Sequence, residues 1–195
     1  MILQPNIRGS TGYGTAWRDA NLKDWRGGDL EDVVAGANYL KSLPYVDPER
    51  VGIFGGFMSF IAVTKKPGVF KVGVPWVGIS DLHLLYEEDM ERFKYYLRQQ
   101  MGDPEKDYAL WGDRSAVEFA HQLTAKLLIV HGTNDPRCPI SQARVFRDRL
   151  LQLGKREGED FEYHEFGDEG HDPGGDIQGK IRTYRLLADF LERRL

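Results

Sequence analysis

Two side chains in the second half of the chain have the types that acid–base chemistry needs. Asp135 lies in a turn over residues 132–136, directly after the apolar run 126–131, and His171 lies in the loop 167–172, after the run 161–166. In proteins that alternate strands and helices, ligands bind outside the carboxyl ends of the strands. An imidazole and a carboxylate at two such ends predict an active site there.

The sequence does not show a nucleophile to match this acid and base as clearly. Residues 51–60 have the pattern of a short buried strand that ends in Gly55-Gly56 and runs directly into a helix. The Gly-x-Ser-x-Gly signature that places a nucleophilic serine at such a junction is absent. Ser59 is the nearest serine and our candidate nucleophile, although Phe57 and Ile61 stand where an elbow needs small residues. The competing interpretation is a helix serine bonded to backbone.

Other chemistry-bearing residues give weaker signals. Cys138 follows Asp135 by three residues and has no base partner in the sequence other than His171, so we do not expect it to be the nucleophile. One acidic loop has the residue types of a metal site but none of the usual ligand spacings: Asp168, Glu169, His171, Asp172 and Asp176. We therefore predict neither a metal nor a cofactor.

The elements that must position these residues alternate along the chain. Apolar runs predict strands near residues 2–7, 51–54, 69–77, 126–131 and 161–166, with helical periodicity between and after them. This order predicts an α/β protein with a mainly parallel sheet of about five strands flanked by helices. We expect one domain over residues 1–195, with a helical, lid-like insertion at about residues 81–123.

Composition excludes several functional classes. The net charge of −4 and the lack of a basic cluster argue against nucleic acid and anionic membranes as partners. No run of about 18 apolar residues is present, and one cysteine cannot form an intramolecular disulfide. The simplest expectation is a cytoplasmic protein.

Five motifs together resemble one family, the prolyl oligopeptidase family of serine peptidases, and most closely its acylaminoacyl-peptidase and dipeptidyl-peptidase branches. They occupy residues 5–14, 28–32, 47–56, 131–136 and 168–171. The resemblance implies an α/β-hydrolase fold and a serine hydrolase that cleaves peptide or ester bonds. It also implies that Asp135 orients His171 and that His171 is the general base.

The chain departs from the family pattern at the nucleophile. The family has Gly-Gly-Ser-x-Gly-Gly followed by an aromatic residue and Met, whereas here Gly55-Gly56 is followed at once by Phe57-Met58. About four residues are missing, and with them the nucleophile. Four residues turn a helix by only about 40° beyond a full turn, so the apolar face can still meet the core.

The family pattern also has three further strands before residue 2, and the loop after the third contributes to the oxyanion hole. A truncated hydrolase fold is therefore expected, with slow hydrolysis, since one oxyanion donor contributes on the order of 100- to 1000-fold. A small peptide or ester is the expected substrate. The alternatives are an inactive, hydrolase-like binding module and a truncated form of a longer peptidase. Unpaired sheet edges predict a homo-oligomer.

Overall fold

A four-stranded, entirely parallel sheet forms the centre of the computed structural model, which describes all 195 residues. Its strands are β1 (Gly52–Gly55), β2 (Val72–Pro75), β3 (Lys126–Gly132) and β4 (Phe161–Phe166), and they lie side by side in chain order. The register places Ile53 beside Gly73, and Ile129 beside Tyr163. Because every neighbouring pair is parallel, each connection crosses over a face of the sheet, and all four carboxyl ends lie at one edge.

Helices cover both faces. They are α1 (Thr15–Asp19), α2 (Gly28–Ser42), α3 (Phe57–Lys65), α4 (Leu82–Glu88), α5 (Glu91–Met101), α6 (Tyr108–Asp113), α7 (Ser141–Gln152) and α8 (Ile177–Arg194), with a 3₁₀ helix at Ala116–Gln122. The α/β prediction is confirmed.

The larger core lies on the face covered by α2, α3 and α7. Phe60 of α3 and Phe146 of α7 are both fully buried, with ring centroids 4.5 Å apart. A smaller core on the opposite face packs Phe190 of α8 against β2 and β3. Strand β3 is buried on both faces, which explains its unbroken apolar sequence. The sheet therefore holds the carboxyl end of β3 rigidly.

The strand predicted near residues 2–7 does not form, so the sheet has four strands rather than about five. Residues 1–6 are exposed, and Pro5 lacks the N–H group that a ladder position needs. The segment is fixed further along, where the Arg8 guanidinium donates two hydrogen bonds to Asp32 at 2.7 and 2.8 Å. As a result, β1 pairs with β2 alone and its other edge is open.

The section between β2 and β3 consists of α4, α5, α6 and the 3₁₀ helix. It has its own apolar cluster around the fully buried Trp111, which includes Leu82, Leu97 and Met101. The helical character expected for residues 81–123 is therefore present, while its service as a lid stays a prediction. None of the helices combines the length and the apolarity that crossing a bilayer requires.

Candidate active site

Asp135 is fixed by the turn that follows β3. Its side chain is fully buried, and its Oδ1 atom accepts hydrogen bonds from the backbone N–H groups of Arg137 at 2.8 Å and Cys138 at 3.0 Å. The turn thus folds around its own carboxylate, as aspartate turns commonly do. The second oxygen, Oδ2, stays available to a partner from another loop.

That partner is His171. Its Nδ1 atom lies 2.8 Å from Asp135 Oδ2, and 37% of its side chain is exposed. An ionised carboxylate can only accept, so Nδ1 carries the proton and Nε2 is left with a free lone pair. The structure therefore joins the two residues that the sequence singled out, 36 positions apart, with the base reachable from solvent.

Backbone contacts hold the two loops together independently of this hydrogen bond. The N–H of Asn134 donates to the carbonyl oxygen of Glu169 at 2.9 Å, and the N–H of Thr133 donates to the carbonyl oxygen of Phe166 at 3.0 Å. Gly132 leaves no room for a side chain, since a Cβ there would overlap the Gly170 carbonyl oxygen. The spacing of acid and base is consequently set by the main chain.

A second, buried imidazole adjoins the pair. His131 Nε2 lies 2.7 Å from the Cys138 carbonyl and 3.7 Å from Asp135 Oδ2. Burial, the largest influence, lowers the pKa of His131, so it is neutral and Nε2–H donates to the carbonyl. It anchors the turn that carries Asp135. Sequence reasoning gave it only a structural role by default, although its position near the end of β3, four residues before Asp135, was the available signal.

Cys138 lies beside the acid and the base, with its sulfur within 4.8 Å of the nearest Asp135 oxygen and His171 nitrogen. It is buried, and burial followed by the charge of Asp135 raises the pKa of its thiol to about 12. The protonated thiol is a poor nucleophile, because the thiolate is the reactive form.

The junction between β1 and α3 is built differently. Gly55 has a φ of 141°, a conformation that favours glycine, and α3 begins at Phe57 without the exposed turn of an elbow. Ser59 is fully buried in the first turn of α3. Its hydroxyl donates to the carbonyl of Gly55 and lies 3.0 Å from that of Gly56. No hydrogen bond joins it to His171, so the structure does not bring all three predicted site residues together.

Apolar and cationic packing fills the space at the start of α3. The Arg26 guanidinium lies 3.9 Å from the centroid of the Phe57 ring, and the Trp25 ring meets Phe57 edge-on at 6.2 Å. Arg26 is paired with the fully buried Asp29 at 2.8 Å. Nothing in this packing presents a nucleophile to solvent.

A parallel sheet with an acid and a base in the loops after its last two strands is the arrangement of the α/β hydrolases. The profile of the prolyl oligopeptidase family matches residues 1–195, so the chain belongs to the prolyl oligopeptidase family of serine peptidases.

Individual relatives agree with this assignment. The chain is 34% identical to the uncharacterized peptidase YuxL of Bacillus subtilis over an alignment of 171 positions, which covers 79% of this chain and 24% of that protein. It is 30% identical to dipeptidyl aminopeptidase BIII of Pseudoxanthomonas mexicana, over 87% of this chain and 25% of that protein. The chain thus spans about a quarter of the length of these relatives.

Solved structures extend the likeness to the fold. The acylaminoacyl peptidase of Pyrococcus horikoshii superposes with a TM-score of 0.89 at 28% identity, over 97% of this chain and 31% of that one. A puromycin-hydrolyzing peptidase of Mycobacterium tuberculosis also superposes with a TM-score of 0.89 at 28% identity, over 97% of this chain and 29% of that one. The predicted α/β-hydrolase fold is confirmed.

Proposed function

We propose that this segment is a weak hydrolase of ester and acyl-peptide bonds in which His171 activates water directly, without an acyl-enzyme intermediate. The 2.8 Å contact between His171 Nδ1 and Asp135 Oδ2 carries this proposal. It fixes the tautomer that leaves Nε2 unprotonated, which is the form a general base needs. The names of the relatives, which include dipeptidyl and acylaminoacyl peptidases, support this substrate class.

Water is the better candidate nucleophile than a side chain. Ser59 is fully buried and its hydroxyl is engaged with helix carbonyls, whereas His171 is partly open to solvent. Attack by water needs only one proton transfer, to Nε2, and the carboxylate of Asp135 stabilises the imidazolium that results. General-base catalysis of this kind contributes about 100- to 10,000-fold, far less than a complete triad.

An active-site-directed fluorophosphonate probe and a p-nitrophenyl ester test the proposal together. We expect slow ester turnover that falls about 100-fold in His171→Ala and is kept in Ser59→Ala, with no covalent labelling of the wild type or of Ser59→Ala. Circular dichroism of each variant checks folding. Labelling of the wild type that disappears in Ser59→Ala would overturn the water mechanism and establish Ser59 as the nucleophile.

The second candidate is a hydrolase-like module that binds a second copy of itself and hydrolyses nothing. The open edge of β1 and the exposed apolar side chains beside it favour this candidate. Phe54 is 58% exposed and Tyr184 is 62% exposed, and both pack against the ring of Trp76. An unpaired strand edge next to apolar surface is a template for association.

Light scattering distinguishes the two candidates when it is combined with the ester assay. Self-association predicts a dimeric or larger mass that Tyr184→Lys reduces. Tyr95→Lys is the matched control, because Tyr95 is exposed to a similar extent, 61%, and lies on α5, in the helical section between β2 and β3. A monomeric wild type rules out self-association, and ester turnover that depends on His171 rules out the inactive module.

A further inference from the structure

Three potential metal ligands from two loops lie together at the carboxyl ends of β3 and β4. Asp135, Cys138 and His171 each offer one ligand atom, and these atoms are within 4.8 Å of one another. Asp135 and Cys138 are buried, and His171 is partly exposed. Carboxylate oxygen, imidazole nitrogen and thiolate sulfur are the three ligand types that proteins use for zinc.

We propose that Asp135 Oδ2, Cys138 Sγ and His171 Nδ1 bind one zinc-like divalent cation in place of the proton that Asp135 and His171 share. On binding, the thiol loses its proton to solvent, and the imidazole carries its single proton on Nε2 instead of Nδ1. The carboxylate and the thiolate then balance the two positive charges of the cation, and the imidazole remains neutral. This inference goes beyond the proposed hydrolase function and does not depend on it.

The hydrogen bonds of the group leave the required atoms available. Asp135 Oδ1 is engaged by two backbone N–H groups, so the turn keeps its shape while Oδ2 changes partner. His171 Nδ1 already points at Oδ2. Cys138 is the only cysteine of the chain and is not in a disulfide. A cation therefore replaces one hydrogen bond and breaks no backbone contact.

The ligand distances are within reach of a tetrahedral site. Bonds of about 2.0 Å to nitrogen and oxygen and about 2.3 Å to sulfur separate neighbouring ligands by roughly 3.2 to 3.7 Å. The Oδ2 and Nδ1 atoms, at 2.8 Å, move apart slightly, and the longest separation in the cluster contracts by about 1 Å. Side-chain rotation of Cys138 and His171 supplies such a shift.

Groups around the three ligands also suit a cation. His131 Nε2 donates to the Cys138 carbonyl at 2.7 Å and so fixes the backbone of one ligand. Such outer partners orient ligands in metal sites. With three protein ligands, the fourth position opens toward solvent on the His171 side, as in zinc sites that keep an exchangeable water. Sulfur in the set favours zinc, cobalt or cadmium over magnesium and calcium.

Cobalt(II) is the sharpest probe, because a thiolate-to-cobalt charge-transfer band can come only from Cys138. Titration of the full chain with Co²⁺ is expected to give this near-ultraviolet band together with the visible absorption of tetrahedral cobalt, at one ion per chain. Zn²⁺ is expected to displace the cobalt and to raise the midpoint of thermal unfolding. No charge-transfer band at millimolar Co²⁺ overturns the proposal.

Variants separate this site from adventitious binding. Cys138→Ser is expected to remove the charge-transfer band. His171→Ala is expected to weaken cobalt binding by more than the roughly 10- to 100-fold that loss of an outer partner costs. His171 is partly exposed, so that variant remains informative if the buried Cys138→Ser fails to fold. His121→Ala, on the 3₁₀ helix, is the control and should bind cobalt normally. Unchanged binding in His171→Ala contradicts the site.

Discussion

Two strand ends at the same edge of the sheet have opposite character. After β3 and β4, the loops enclose a polar group in which a buried carboxylate, two imidazoles and a thiol lie in contact. After β1, the chain passes through Gly55 directly into α3, and the neighbouring space is filled by Phe57, Trp25 and Arg26. The β3 and β4 ends carry an acid and a base but no nucleophile. The β1 end is packed with apolar and cationic side chains and carries no reactive group.

The comparison shows that the two strand ends are held by different kinds of interaction. The β1 end is stabilised by apolar burial, which depends on total volume and pattern more than on any one polar residue. The β3 and β4 ends are stabilised by backbone contacts and by charge-assisted hydrogen bonds to the carboxylates of Asp135 and Glu165. Because the two ends rely on different interactions, each can be altered while the other is left intact.

The largest expected effect comes from rebuilding the β1 end. Insertion of Ser-Tyr-Gly-Gly between Gly56 and Phe57 restores the family pattern of glycines around a serine. Removing the serine from a complete triad, as in subtilisin, lowers kcat by about 2 × 10⁶. A missing oxyanion donor reduces the gain by about 100- to 1000-fold, so ester turnover should rise by about 2000- to 20,000-fold.

Fluorophosphonate labelling measures the same change directly. The inserted serine should become labelled, and the label should disappear when His171→Ala is added to the insertion. An Ala-Tyr-Gly-Gly insertion is the matched control for the added length. A folded insertion variant that neither labels nor turns over ester contradicts the interpretation that Asp135 and His171 can still serve a nucleophile at this junction.

A smaller kinetic effect is expected at the other end. His171→Ala in the unmodified chain removes the general base and should reduce ester turnover about 100-fold, the lower end of the range for proton transfer. His121→Ala removes an exposed imidazole from a distant helix and should leave turnover unchanged. Equal loss in both variants, measured with p-nitrophenyl acetate at neutral pH, argues for nonspecific imidazole chemistry.

Packing between the two loops gives the largest stability effect. A methyl group at Gly132 would overlap the carbonyl oxygens of Gly170 and Glu169, and neither backbone can yield easily. Gly132→Ala should therefore lower the free energy of unfolding in urea by about 1 to 3 kcal/mol, the usual cost of overpacking. Gly167→Ala lies in the adjoining loop with nothing within 4 Å and should be nearly neutral.

Low pH should remove the stabilisation that the ionised Glu165 side chain, near the end of β4, gives to the folded protein. Hydrogen bonds from Arg144, the first cause, hold the pKa of Glu165 at about 2, against 4.5 in the unfolded chain. The folded value is the lower one, so this stabilisation is complete above about pH 4.5 and is lost as the pH falls toward 2. Since Arg144 is half exposed, we expect a contribution of about 1 kcal/mol.

Urea unfolding at pH 7 and pH 3 measures this contribution. Glu165→Gln should be less stable than the wild type at pH 7, and the difference should shrink at pH 3. Glu49→Gln, at an exposed position that forms no ion pair, is the control. A gap that persists unchanged at pH 3 shows that the effect of Glu165 is not electrostatic.

Sequence periodicity was sufficient for most of the fold. Strand β3 was predictable because its residues form an almost unbroken apolar run, and α7 because its apolar residues recur at helical spacing. The strand near residues 2–7 was predicted wrongly. Two isoleucines and a leucine gave it strand composition, but an isolated apolar segment needs a neighbouring strand to pair with, and composition does not contain that information.

The site was predictable in part for a related reason. Asp135 and His171 stood at strand ends, where topology alone brings side chains together. The proximity of Cys138 and His131 depends on the path of one turn, which no spacing rule specifies. The burial of Ser59 depends on where α3 starts, which in the structure is Phe57, directly after the N-cap Gly56.

The contact of Gly132 with the loop at residues 169–170 has a consequence for the history of such a chain. Because main-chain packing spaces the acid and the base, selection for folding alone is enough to retain their geometry. Folding therefore maintains the spacing of the pair whether or not hydrolysis is under selection. An in-frame insertion of four codons after Gly56 would then supply a nucleophile to an acid and a base that are already in place.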